Sequence, residues 1–145
     1  MSDQPDTFRS IELTKIGEGR WKATNARGGE TYFGSGGEDP DFTPVEMLLA
    51  AIAGCSAVDV DLITRKRSPA ESFSVIASGS KIRDDQGNHL VDLSVTFDVS
   101  FPAGAEGDAA RDVMPRSLEQ TRDRLCSVGR TVQLGEPVDY RLADD

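Results

Sequence analysis

The chain has 145 residues, which suits one domain with a single core and leaves little room for a second. Its composition, 37% hydrophobic and 28% charged, is that of a packed globular protein and too apolar for full disorder. A net charge of -9 repels phosphate backbones and anionic head groups, which argues against roles on nucleic acid or on a membrane surface.

The opening residues, MSDQPDTF, carry Asp and Pro where a signal peptide would carry a basic region and an apolar run, so a cytoplasmic location is expected. Residues 1–7 read as a disordered lead-in, 143–145 as a frayed acidic end, and 8–142 as a single domain. Three short strands are predicted at 8–16, 20–26 and 30–33, separated by glycine-rich turns such as Gly28-Gly29.

From Thr43 to about Arg65 the pattern changes to a helix that is apolar on nearly every side, through Leu48, Ile52, Val58, Val60 and Leu62. Thr43 can cap it, Pro44 fits the first helical position, and Glu46 completes a capping box. Phe42 and Met47 form the matching staple, and Arg65, Lys66, Arg67 and Pro69 close the far end. Ser56, Asp59 and Asp61 interrupt the apolar run, which speaks against a membrane span. A helix of this kind must be covered by protein, and one short chain covers it only in part, so a homodimer is expected.

A hairpin follows. Phe73, Val75 and Ala77 alternate on one arm; Val91, Leu93, Val95, Phe97, Val99 and Phe101 alternate on the other, joined by a turn at residues 84–88. A second helix is predicted over 108–127, with Pro115 as its kink and Cys126 near its end. Strand-like runs at 131–134 and 138–142 flank Gly135-Glu136-Pro137 and close the chain. The fold class is α+β, with antiparallel sheets around a long buried helix in the order βββ-α-ββ-α-β(β).

Two cysteines in a chain with no legible export address are expected to stay thiols. Without a Cys-x-x-Cys pair, and with His89 as the sole histidine, no zinc site is assigned. His89, beside the hairpin turn, reads as an exposed turn residue. Spacing alone does not pair Cys55 with Cys126 and favours reading both as small buried hydrophobes, with a reactive thiolate and its resolving partner as the alternative. Gly34-Ser35-Gly36-Gly37 lacks the lysine of a phosphate loop, and no Gly-x-Ser-x-Gly elbow is present.

TPVEMLLAAIAGCSAVDV together with the distant LCSVGRTV resembles the OsmC-like family, which includes the organic hydroperoxide resistance proteins. The resemblance covers roughly 8–142 and is most specific in the Pro-x-Glu-Met-Leu-Leu helix start, Ala-Gly-Cys-Ser-Ala and Cys-Ser-Val. It implies an intertwined homodimer with a two-cysteine site near the interface that reduces organic or hydrogen peroxide. By carry-over, Cys55 is the attacking (peroxidatic) thiol and Cys126 the resolving one, regenerated by an external dithiol such as dihydrolipoamide, with no bound cofactor.

A buried thiolate needs a compensating cation, and the resemblance places the family arginine at Arg27, six residues after Trp21, with Arg20 and Arg130 as alternatives. Arg27 is equally explained as a turn residue in Ala-Arg-Gly-Gly. The family glutamate that follows the helix-start proline is Val45 here, and Glu46, one residue on, is either its substitute or only part of the capping box. Asp59, four residues after Cys55, would oppose a thiolate unless it pairs with Arg65, Lys66 or a partner cation. The Gly54–Asp59 stretch resembles an OsmC-like branch without established activity. Three readings follow: a thiol peroxidase, a non-catalytic dimer that binds an apolar small molecule at the subunit interface, and a structural dimer module.

Overall fold

The computed structural model describes residues 5–143. The chain divides into two compact units, one running to Leu48 and the other beginning at Leu49.

The first unit is built on a three-stranded antiparallel sheet in the order β1-β2-β3, with β1 Ile11–Gly17, β2 Arg20–Asn25 and β3 Glu30–Phe33. Its turns are fixed by side chains: Asn25 Oδ1 accepts from the backbone N–H groups of Arg27 at 3.1 Å and Gly29 at 2.8 Å, so the β2–β3 link closes on itself. After β3, Arg20 is held by both Asp39 and Asp41. These carboxylates occupy the guanidinium fork that a bidentate partner would use.

Helix α1, Pro44–Thr64, starts in the first unit and continues into the second. The predicted capping box is present, with the Thr43 N–H donating to Glu46 Oε1 at 2.9 Å and the Glu46 N–H donating to Thr43 Oγ1 at 3.3 Å. At the other end Arg67 donates to the Ile63 carbonyl at 3.1 Å, where the helix dipole is negative. The single chain covers this helix only in part, as its apolar circumference led us to expect. Only Ile52, Ser56, Val60 and Thr64, one stripe at four-residue spacing, are buried, whereas Val58 and Leu62 are exposed. At 21 residues α1 is also long and apolar enough to cross a bilayer by length and composition, contrary to the reading that its polar residues cut the run short. Its two aspartates make bonds within the second unit, Asp59 with Thr121 and Asp61 with Arg65.

The hairpin is β4, Ser72–Asp84, paired antiparallel with β5, Gly87–Ser100. Phe73 lies opposite Val99 and Val75 opposite Phe97, and the Phe73 and Phe97 rings meet edge to face with centroids 6.1 Å apart. The alternation expected through Val91 breaks at a bulge, where Gly79 faces both Asp92 and Leu93 and the register shifts between Ser78 and Ser80. Asp92 takes a left-handed φ of 55° there, and a Cβ on Gly79 would stand 2.8 Å from Leu93 Cδ2, so a larger residue at position 79 would push the Leu93 side chain aside. Beyond it Val91 pairs with Ser80 and so lies on the face opposite that of Phe73. His89 is not a turn residue. It sits within β5 opposite Ile82, half-buried, with Nδ1 3.2 Å from the Gly87 carbonyl oxygen.

The C-terminal third departs most from expectation. Helix α2, Ala105–Gln120, runs through Pro115 without a break and passes into a single π-helical turn, Thr121–Leu125. Cys126 then leaves the helix in an extended conformation and starts α3, Ser127–Leu134, which ends at Gly135 in the left-handed region. The strand predicted at 131–134 is therefore the end of α3, and no strand forms at 138–142, so the order is βββ-α-ββ-α-π-α. The apolar residues Val128 and Val132 recur at helical, not strand, period. Within the second unit the buried residues are few: Ile52, Val60, Phe101, Gly107, Ala110 and Cys126, together with Ser56, Thr64, Ser68, Ser117 and Thr121.

Candidate active site

Three side chains from distant parts of the chain meet in the second unit. Cys55 and Asp59 lie one turn apart on α1 and project from the same face. Cys126 arrives from the other side, at the head of α3. The two sulfurs and an Asp59 carboxylate oxygen all lie within 4.8 Å of one another.

Cys126 occupies the position that Ser, Thr, Asp or Asn fills in most helices. Its Sγ accepts from the Gly129 N–H at 3.2 Å, the bond that an N-cap oxygen would make. The π turn makes this placement geometrically available, because its wider spiral carries the Cys126 N–H back to the Thr121 carbonyl at 3.1 Å before the chain turns out. The Ser56 hydroxyl donates to the Ile52 carbonyl at 2.8 Å, and its oxygen lies 3.5 Å from the Cys126 sulfur. Cys126 is 2% exposed and Cys55 half-buried, so Cys55 is the more accessible of the pair.

Burial pushes the Cys55 thiol above its usual range, opposed by the backbone N–H groups of Val128 and Ser127 and reinforced by the neighbouring Cys126. The electrostatic help at this sulfur thus comes from the first amides of α3. Among the described residues no arginine or lysine side chain bonds either sulfur. Asp59 is fixed by the Thr121 hydroxyl, which donates to Oδ2 at 2.9 Å. That partner replaces the Arg65 or Lys66 anticipated from sequence, since Arg65 instead faces Asp61 at 3.5 Å.

The other candidates have local roles. Arg27 is exposed in the β2–β3 turn, and its backbone N–H is held by Asn25. Glu46 is spent on the Thr43 cap in the first turn of α1. Arg20 is held by Asp39 and Asp41, and Arg130, in the first turn of α3, reaches Gln133 Oε1 at 3.4 Å. Sequence reasoning missed Thr121 and Ser56 as site residues. No short motif marks them; Ser56 adjoins Cys55, and Thr121 is found only once the π turn brings it over α1.

Next to the sulfurs lies a cavity of about 450 Å³. Ile52, Leu93, Val95, Phe97, Leu118 and Val132 give it apolar walls, and Ser56, Thr121, Arg122, Cys126 and Gln133 are among its polar lining. Cys55 is not among its lining residues.

The OsmC-like protein family model matches residues 36–141, a span that includes both cysteines. The chain belongs to the OsmC-like family. It is similar to uncharacterized proteins of Mycobacterium bovis and Mycobacterium tuberculosis, 29% identical over 133 residues, covering 91% of this chain and 94% of theirs. Among solved structures it resembles an OsmC-like protein of unknown function from Vibrio cholerae, with a TM-score of 0.71 at 14% identity, covering 88% of this chain and 94% of that one. It also resembles an organic hydroperoxide resistance protein OsmC, described as a predicted redox protein, from Legionella pneumophila. That likeness has a TM-score of 0.55 at 14% identity, covering 90% of this chain and 92% of that one. At such identities the two structures speak for the α+β OsmC fold, with its antiparallel sheets and long helix, and for nothing finer.

Proposed function

We propose that this OsmC-like chain is a thiol-dependent peroxidase that reduces a small organic hydroperoxide or hydrogen peroxide through Cys55 and Cys126. The observation that carries the reading is the approach of two free sulfurs, 71 positions apart in sequence, to within 4.8 Å at the head of α3. Cys55, the more accessible sulfur, is the attacking one, and the Ser127 and Val128 amides stabilise its thiolate.

The steps balance without a bound cofactor. The Cys55 sulfur attacks the terminal peroxide oxygen, the O–O bond breaks, and the proton lost by the thiol ends on the leaving alkoxide as alcohol. Cys55 is left as a sulfenic acid. The Cys126 thiol then attacks that sulfur, expelling water and forming the Cys55–Cys126 disulfide. An external dithiol of the dihydrolipoamide class reduces the disulfide by exchange and leaves as its own disulfide.

In this reading the protein works in the cytoplasm as a homodimer, the second copy covering Val58 and Leu62 on the exposed side of α1. The test is a count of free thiols in the reduced protein after addition of one equivalent of organic hydroperoxide. Rapid loss of both thiols in the wild type, recovery on adding dihydrolipoamide, and a trappable sulfenic acid in Cys126→Ser support it. Survival of both thiols for many minutes at neutral pH overturns it.

A second reading, a non-catalytic protein that binds an apolar small molecule, is favoured by the apolar cavity beside Cys126. Saturable binding of a fluorescent apolar probe, unchanged in Cys55→Ser and combined with inert thiols, would favour it over the peroxidase.

A further inference from the structure

We infer that Cys55, Asp59 and Cys126 form a three-ligand site for a thiophilic divalent cation of the zinc class. The sequence-based expectation of no metal site counted only cysteine and histidine, whereas the third donor here is a carboxylate.

Zinc takes thiolate sulfur at about 2.3 Å and carboxylate oxygen at about 2.1 Å, so two such donors on a tetrahedron stand roughly 3.6–3.8 Å apart. The three donor atoms lie within 4.8 Å of one another, so the set needs to contract by no more than roughly 1 Å, within reach of side-chain rotation. Cys55 and Asp59 are placed by one rigid helix, and Cys126 by the head of another.

The surroundings are those a thiolate–metal centre uses. Gly129 donates its N–H to Cys126 Sγ, and the Ser127 and Val128 amides face Cys55 Sγ, so each sulfur meets backbone donors that offset thiolate charge. Thr121 orients the Asp59 carboxylate by donating to Oδ2, the kind of outer hydrogen bond that positions a carboxylate ligand. Two thiolates and a carboxylate outweigh a divalent ion by one negative charge, and the positive end of the α3 dipole lies on the side where that excess falls. Two sulfurs select zinc-like ions over magnesium or calcium. Three protein ligands leave a fourth position for water or an added thiol, the arrangement of an open site, not a closed structural one.

A cation held there occupies both sulfurs, so metal binding and oxidation of the pair exclude each other. The inference itself stands whether or not the thiols reduce peroxides.

The test is anaerobic titration of the reduced full-length protein with cobalt(II), a coloured stand-in for zinc. One equivalent is expected to produce a thiolate-to-cobalt charge-transfer band in the near ultraviolet and tetrahedral d–d bands in the visible, both erased by zinc. Cys126→Ser, which keeps an N-cap hydroxyl on α3, is expected to lose most of the charge-transfer intensity. Asp59→Asn, which keeps an oxygen for Thr121, is expected to weaken cobalt binding at least tenfold while the circular dichroism spectrum stays native. Absence of the charge-transfer band at stoichiometric cobalt, or undiminished binding in both variants, overturns the inference. Neither result bears on the peroxide thiol count, so the two proposals fail separately.

Discussion

The Thr121 hydroxyl donates to Asp59 Oδ2 across 62 positions of sequence, tying the π turn to the face of α1 that carries Cys55. Thr121 is 4% exposed, so the bond is shielded on one side from water. Thr121→Val removes the donor and leaves a carboxylate without its partner. A loss of about 1 kcal/mol in unfolding free energy is expected, at the low end for a charged acceptor because Asp59 itself is only half-buried. Urea denaturation measures it, and Thr121→Ser should recover most of the loss.

Because burial raises the Cys55 thiol, its reactivity should rise with pH later than that of a free cysteine, while its contribution to stability should fall as pH rises. The folded protein holds the Cys55 proton more tightly than the unfolded chain, whose thiols titrate near about 8.5. Folding stability from this group is therefore complete below that value and falls as pH rises from it toward the raised folded value. In the wild type, denaturant midpoints measured across this alkaline window should decline more steeply than in Cys55→Ser. Iodoacetamide alkylation of Cys126→Ser, whose one thiol is Cys55, should reach its half-maximal rate at a pH above that of a free cysteine. A half-maximum below that of free cysteine would show that the α3 amides outweigh burial.

The capping box separates two roles for Glu46. Thr43→Ala should cost about 1 kcal/mol, as the loss of an N-cap does elsewhere. Glu46→Gln retains the reciprocal hydrogen bond and should leave both stability and peroxide consumption near wild type. A large fall in peroxide consumption with unchanged stability would instead assign the carboxylate to catalysis.

Val58 and Leu62 leave apolar surface on α1 that a second copy would cover. Sedimentation of the wild type is expected to report a dimer, and Val58→Asp is expected to shift it toward monomer by placing an uncompensated charge in the contact. A wild type that sediments as a monomer at micromolar concentration would sink the dimer.

Much of the fold is legible from local rules. The three N-terminal strands, the capped start of α1 and the antiparallel hairpin follow from alternation, cap residues and glycine turns, each fixed by interactions a few residues apart in the chain. The resemblance carried by the helix start and the two cysteine motifs identified the family and named both sulfurs. What the sequence concealed has a common cause, in that each feature depends on partners distant in the chain. The π turn at Thr121–Leu125 carries no distinctive residue, yet it converts the end of a helix into an extended Cys126 that heads a new one. Residues 131–134 suit a strand as well as a helix, and the cap supplied by Cys126 and Gly135 decides for the helix. Asp59 looked like an obstacle to thiol chemistry on helical spacing alone. Its hydrogen bond to Thr121 and its place beside both sulfurs came only from the packing of α1 against the π turn, because a side chain's electrostatic role is set by what tertiary structure brings within a few ångströms of it.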